Sequence, residues 1–295
     1  MGTAQFSTAA AAGTFSLGGD LTVNRLGYGA MRITGKGIWG QPEDQSAAMA
    51  VLKRAVELGV NLIDTADSYG PGVSEELIAE ALYPYPPGLV IATKGGWERV
   101  GPGQWIHNAS PDHLTRALEG SLKRLRLERI DVYHLHVPDP MVSFDASMEC
   151  LARHRKHGKI RHVALSNVAL EYIERARRIV PIVSVQNRYS FADREWDYVV
   201  NYCEQHGIGF MPWAPIGQMR LAHEVLERTA KQLHATPMQV GLAWLLKRAR
   251  NILPIPGTAN VEHLQQNIAA AALQLPDDIF RELAAVTLPP AVLRG

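Results

Sequence analysis

A β/α barrel is the fold class that this sequence predicts, and three observations predict it. Short apolar runs alternate with longer amphipathic stretches, eight such strand–helix units can be traced, and no Pro-, Gly- or Ser-rich linker divides the chain. Parallel strands need crossovers, and the intervening helices supply them. At 295 residues the chain is long for an average domain and ordinary for an eight-stranded parallel barrel of the TIM type. An open doubly wound sheet shares this alternation, and spacing alone does not separate the two.

Residues 1–13 read as a short flexible lead-in, and residues 14–295 as one barrel domain. The Ala-rich start has neither a basic region nor an apolar core, so no signal peptide is expected. Thr14–Leu17 and Leu21–Val23 flank Gly18-Gly19-Asp20, which predicts an N-terminal β-hairpin. Barrel strands are expected at Arg25–Tyr28, Asn61–Asp64, Val90–Thr93, Ile130–His136, His162–Leu165, Ile182–Gln186, Gly209–Trp213 and Ile252–Ile255. Apolar residues at helical spacing over Asp44–Leu58 predict a helix stopped by Gly59. Ser110-Pro111-Asp112 combines a cap, an N1 proline and an acidic first turn, opening a helix to about Leu125. Further helices fit Ser74–Leu82, Phe144–His157, Leu170–Ile179, Trp196–His206, Leu221–Leu233, Thr236–Arg248, Val261–Ala272 and Asp277–Val286. Gly95–Asn108 reads as a loop.

Composition narrows the function classes. A 46% hydrophobic and 20% charged chain has the makings of a large core. Thirty Lys and Arg face 29 Asp and Glu, so no charge surplus points to nucleic acid or an acidic membrane. No stretch reaches the roughly 18 apolar residues of a membrane helix. The two cysteines, Cys150 and Cys203, form no CxxC pair, which argues against a disulfide scaffold and suits a reducing cytoplasm. No protein partner is predicted.

The chemistry is expected at the C-terminal ends of the strands, where barrels carry their active sites. Apolar runs there end in Asp64, Lys94 and His136. A charge that terminates a buried strand is costly unless paired, so these groups are expected to meet. His134-Leu135-His136 places two imidazoles on one strand face, as a metal-dependent hydrolase would. The later strand ends, Leu165-Ser166, Gln186-Asn187 and Trp213-Ala214, add no further His or carboxylate, and no metal is expected. Lys94 could also serve a Schiff-base lyase, although Asp64 favours the unreactive ammonium. A cofactor-binding regulatory subunit is a third alternative. Gly27-Tyr28-Gly29 starts a dinucleotide fingerprint, but Arg32 stands at its last glycine position.

Over nearly its whole length the sequence resembles the aldo-keto reductase family. The matching segments are Leu58–Ala66 (LGVNLIDTA), Tyr69-Gly70, Ala92-Thr93-Lys94, Ile130–His136 (IDVYHLH), Gly158–Arg161 (GKIR), Leu165-Ser166-Asn167, Val185-Gln186-Asn187 and Ile255–Thr258 (IPGT). The resemblance implies carbonyl reduction by hydride transfer from NADPH, with NADH also possible. It assigns the catalytic tetrad to Asp64, Tyr69, Lys94 and His136. Tyr69 would give a proton to the carbonyl oxygen, Lys94 would lower its pKa, Asp64 would pair with Lys94, and His136 would orient the substrate oxygen. The cofactor would lie on Gly29, Met31, Ser166, Asn167, Gln186, Trp213, Ala214, Pro215 and Ile216, with Trp213 stacked on nicotinamide. Gly257, Thr258, Asn260, His263, Gln266 and Asn267 would take its phosphates and adenine. Strong NADPH users of the family carry Lys and Arg where Gly257 and His263 stand, so a weaker cofactor preference is implied.

The substrate is expected to be a small carbonyl compound. Trp39, Trp97 and Trp105 lie in loops at the barrel's active end and are expected to form an aromatic wall. Only Thr287–Gly295 follow the last helix, too few for the long flap that narrows many pockets of the family. Segments such as Asn24–Met31 and Ala81–Pro86 resemble a bacterial branch that includes pyridoxal reductases, which makes pyridoxal a named candidate.

Overall fold

The computed structural model describes residues 8–217 and 223–286. In chain order, β1 (Thr14–Leu17) and β2 (Leu21–Asn24) form the expected hairpin, followed by β3 (Tyr28–Gly29), α1 (Gln45–Glu57), β4 (Leu62–Asp64) and α2 (Val73–Leu82). Next come β5 (Val90–Gly95), a second hairpin of β6 (Trp97–Gly101) and β7 (Gln104–His107), α3 (Pro111–Leu125) and β8 (Ile130–Leu135). Then follow α4 (Phe144–Lys156), β9 (Ile160–Ser166), α5 (Leu170–Arg177), β10 (Ile182–Gln186), α6 (Asp197–Gln205) and β11 (Gly209–Phe210). The helices α7 (His223–Gln232), α8 (Pro237–Arg248), α9 (Val261–Ala269) and α10 (Asp277–Ala285) complete the described chain. The cap read from sequence is in place, Ser110 accepting from the amide of His113, and Asp44 and Thr236 cap their helices likewise, accepting from the amides of Ala47 and Gln239.

Seven parallel strands lie in the order β11-β10-β9-β8-β5-β4-β3. The segment 251–256 closes them into a barrel. On one side Leu253 N donates to Phe210 O (2.8 Å), and on the other Gly27 N donates to Pro254 O (2.9 Å). The expected eighth strand, Ile252–Ile255, is therefore in place but irregular, because Pro254 and Pro256 have no N–H to give a ladder. Pro212 shortens the seventh strand in the same way, leaving Trp213 as an isolated bridge to Arg188. The closure excludes the open-sheet alternative.

Alternate strand residues fill the interior: Leu62, Val90, Ala92, Val132, Ala164, Val183, Met211, Leu253 and Ile255 form one cluster. Leu17, Leu21 and Val23 of the first hairpin join it and plug the N-terminal end. Burying each aliphatic side chain contributes about 1.5–3 kcal/mol, so the plugged end is the rigid one and the C-terminal rim is left for function. The helices cover the outside with a larger core that includes Leu114, Leu118 and Leu125 of α3.

Two expectations need correction. Gly95–Asn108 is not a plain loop: Pro102-Gly103 turns the β6–β7 hairpin, whose antiparallel register pairs Trp97 with His107 and Arg99 with Trp105. The described end of the lead-in does not hang free either. Ala9–Ala12 form a 3-10 turn, Ala9 is buried, and its amide donates to Leu58 O at 2.8 Å. Residues 1–7, the start of the expected Leu221 helix, and the tail after Val286 lie outside the described residues. Among the described residues, no helix is long and apolar enough to cross a membrane.

Candidate active site

Parallel strands deliver their C-terminal residues to one rim, and the four expected catalytic side chains meet there. Asp64 ends β4, Lys94 lies one residue before the end of β5, and His136 follows β8. Tyr69 sits in the loop between β4 and α2. Gly70 makes that loop possible: its φ is +99°, and a Cβ there would fall 2.4 Å from the Cβ of Val73. All four side chains are buried, Lys94 completely. Lys94 Nζ donates to Asp64 Oδ2 and to Thr65 O, both at 2.7 Å. Gln186 Nε2 donates to the other Asp64 oxygen at 2.9 Å. The Lys94 ammonium lies 5.1 Å from the Tyr69 ring centroid, and His136 meets that ring edge-on at 5.9 Å.

Protonation states follow from burial and these contacts. Burial works against the Lys94 ammonium, but Asp64 and Tyr69 outweigh it and hold the amine above its ordinary range. Burial pushes the Asp64 carboxyl up, opposed by Lys94 and Gln186. His136 is held well below the usual imidazole range by burial, then by Lys94 and His134, so it is neutral at pH 7. For Tyr69, Lys94 favours the phenolate as the sequence leads one to expect, but burial is stronger and Asp64 adds to it, so the net shift of the phenol is upward. The site thus holds a protonated phenol over a charged lysine and beside a neutral histidine.

The sequence did not point to three further groups. Thr65 supplies only its carbonyl. Ser68 Oγ lies 3.4 Å from His136 Nδ1, a contact spanning 68 residues of chain. Arg99 in β6 is buried, and its guanidinium donates to Ser68 O at 2.9 Å. Behind this loop lies a cavity of about 320 Å³ whose walls include Asp67, Ser68, Trp97, Arg99 and Arg124. Asp67 Oδ1 is buried there without a partner. Burial, reinforced by Glu75 and opposed by Arg124 and Ser68, raises the Asp67 carboxyl to about 8.

The expected cofactor residues line the adjoining rim. Ser166 and Gln186 end β9 and β10, and Asn167 follows Ser166 with a left-handed backbone (φ 56°). Its Nδ2 donates to His136 O (3.0 Å), while its Oδ1 accepts from Trp213 Nε1 (3.0 Å). Ser166 Oγ donates to Gln186 O (2.9 Å). Trp213 is exposed at its ring, and Ala214 beside it also has a left-handed φ of 50°. Strained backbone of this kind clusters at binding sites. Pro215 is buried, and Ile216 packs on the outer core.

Across the rim, Gly29 ends β3, Met31 follows in a 3-10 turn, and Gly257 meets Gly29 so closely that a Cβ on Gly257 would lie 2.5 Å from Gly29 O. Thr258 leads to α9, whose cap is Asn260: its side chain accepts from His263 N (3.0 Å). His263 is exposed, Gln266 O accepts from Gln239 Nε2 (2.9 Å), and Asn267 is buried. An exposed ring at one end and a capped helix N-terminus at the other fit the two ends of a nicotinamide dinucleotide.

The three tryptophans divide. Trp97 stands edge-on to His136 at 6.3 Å and packs against His107 at 4.3 Å. The Arg99 guanidinium lies 3.7 Å from the Trp105 ring and 5.7 Å from the Trp39 ring. Of the rival readings, the metal site finds no group of three His, Cys, Asp or Glu able to hold an ion among the described residues. The two partners of Lys94 hold it as an ammonium, against a Schiff-base role.

A parallel β/α barrel with this cluster at its open end defines a carbonyl-handling oxidoreductase. The aldo/keto reductase family model matches residues 25–287, and the chain belongs to that family. It is 46% identical over 277 residues to an uncharacterized oxidoreductase of Schizosaccharomyces pombe, covering 93% of this chain and 90% of that protein. It is 42% identical over 281 residues to pyridoxine 4-dehydrogenase of Escherichia coli, covering 93% and 98%. Among solved structures, an aldo-keto reductase from Klebsiella pneumoniae in complex with NADPH superposes with a TM-score of 0.79 at 26% identity, covering 95% of this chain and 96% of that one.

Proposed function

We propose that this protein reduces an aldehyde to an alcohol with NADPH, and that pyridoxal or a similar planar aromatic aldehyde is its substrate. One observation carries the reading: buried Tyr69 lies against the Lys94–Asp64 pair, with the Lys94 ammonium 5.1 Å from its ring and His136 edge-on to it. Bound at the adjoining rim, the cofactor supplies hydride. Ser166, Asn167, Gln186 and Trp213 would hold its nicotinamide, and Gly257, Thr258, Asn260 and His263 its phosphates. The Tyr69 hydroxyl gives its proton to the carbonyl oxygen, and the phenolate left behind is stabilised by the Lys94 ammonium. His136, uncharged, hydrogen-bonds that oxygen and orients it without competing as an acid.

The substrate reading rests on Trp97, the tryptophan nearest His136, and on the similarity to the Escherichia coli enzyme. Trp39 and Trp105 present less free ring face than the sequence suggests, because Arg99 lies between them. Stacking on one indole adds about 0.5–1.5 kcal/mol, close to a tenfold effect at most. The test is cofactor oxidation over a panel of aldehydes with NADPH and NADH in parallel. Pyridoxal turnover above that of an aliphatic aldehyde of similar size supports the reading; rapid turnover of short aliphatic aldehydes with pyridoxal untouched refutes the substrate. NADPH is expected to bind more tightly than NADH, by a modest factor, since neutral donors hold a phosphate less well than charged ones.

A further inference from the structure

Arg99 spends all five of its N–H donors on main-chain carbonyls. Nη1 donates to Ile38 O and Ser68 O (both 2.9 Å), Nη2 to Gly37 O (3.1 Å) and Gly101 O (3.4 Å), and Nε to Gln104 O (3.0 Å). None of these partners is a carboxylate, and the residue is 9% exposed. The five carbonyls belong to three separate segments: the loop after β3 that carries Trp39, the loop after β4 that carries Tyr69, and the β6–β7 hairpin that carries Trp97 and Trp105. The guanidinium face lies on Trp105 and approaches Trp39. A desolvated guanidinium with no carboxylate among its hydrogen-bond partners is costly, which makes a purely packing role a poor explanation.

We propose that Arg99 is a positioning residue that ties the substrate wall to the catalytic loop. Its bond to Ser68 O fixes the residue that precedes Tyr69 and whose hydroxyl touches His136. Its other bonds hold Trp39 and the hairpin against that loop. The geometry is planar and forked, so a lysine cannot reproduce it. The role rests on the proposed carbonyl reduction, and it makes Arg99 act through Tyr69, His136 and the indoles without touching substrate.

The experiment uses Arg99→Met and Arg99→Lys in the full chain. Steady-state reduction of pyridoxal and of an aliphatic aldehyde, NADPH affinity by fluorescence titration, and amide hydrogen exchange are measured together. Expected for both variants are a kcat lowered about tenfold for either aldehyde, a KM raised only for the aromatic one, and an NADPH Kd within about twofold of the original. Amide exchange is expected to quicken together in 35–40, 67–72 and 97–107, with β8 and β9 unchanged. Wild-type kinetics in either variant, or exchange quickened only within the hairpin, overturns the proposal. If Arg99→Met does not fold, Arg99→Lys is held to the same criteria. Should the original protein reduce no carbonyl, the function reading falls, and the exchange pattern still decides the tether.

Discussion

Replacing Lys94 by Met tests the centre of the site. The substitution keeps most of the side-chain volume and removes a cation buried at 0% exposure. Asp64 is left with one donor, Gln186 Nε2 at 2.9 Å, and Thr65 O loses its donor altogether. Removing one partner of a buried pair costs about 3–5 kcal/mol. That is a large share of the roughly 5–15 kcal/mol that keeps a domain folded. In the variant nothing opposes burial strongly enough to keep Asp64 ionised, so its pKa rises further. A raised folded-state pKa gives stability that is present below the unfolded value near 3.8 and is lost as pH rises through the folded one. The loss should therefore be larger at pH 8 than at pH 5.5. Denaturant unfolding of the original, Lys94→Met and Lys94→Met/Asp64→Asn at both pH values measures this, alongside turnover. The double variant should regain at least about half of the lost stability, while both variants stay at least about 10²-fold down in kcat. A cost below about 1 kcal/mol, the level of an exposed pair, or no gain in the double variant, refutes the buried-pair argument. Near-normal turnover refutes the catalytic one.

Tyr69→Phe should bind NADPH normally and lose at least about 10²-fold in kcat, and a variant that keeps its turnover removes Tyr69 from the mechanism. His263→Arg should widen the preference for NADPH over NADH, because it adds a cation at an exposed position near the α9 N-terminus, whereas Gly257→Lys should weaken binding of both, since its Cβ would lie 2.5 Å from Gly29 O; paired titrations distinguish these. Asp67→Asn should stabilise the protein increasingly from pH 5 to 8, by up to about 1.4 kcal/mol per pH unit, because the carboxyl raised to about 8 contributes stability only at low pH and loses it as pH rises. A melting-temperature difference that does not change with pH counts against a proton-holding Asp67.

Much of this was legible because barrel strands write their own period into the chain. Alternating interior residues, terminal Asp64, Lys94 and His136, and capped helices each have a local signature, and each is found where the sequence places it. What escaped was non-local. Ser68 and His136 meet across 68 residues, and the carbonyls of Gly37, Ile38 and Ser68 carry no sequence signal for Arg99. The second hairpin was missed although Pro102-Gly103 marks its turn, because loops around a barrel rim show few apolar alternations. The sign of the Tyr69 shift also depended on burial, which opposes Lys94 and is set by the whole rim.

Asp64 is where the two halves of the rim are joined. One oxygen accepts from Lys94, which faces Tyr69; the other accepts from Gln186, at the end of β10 on the proposed cofactor side. Both bonds favour the carboxylate, so anything that draws Gln186 away weakens the support for the Asp64 charge and with it the hold on Lys94. Asn167 makes a parallel link, donating to His136 O and accepting from Trp213 Nε1. One side-chain chain therefore runs from the proposed cofactor rim to Lys94, through Gln186 and Asp64, whereas Asn167 holds only the main chain of His136. A change at Gln186 should then alter the pH dependence of the proposed reduction, since Lys94, which faces Tyr69, lies at the far end of the same network.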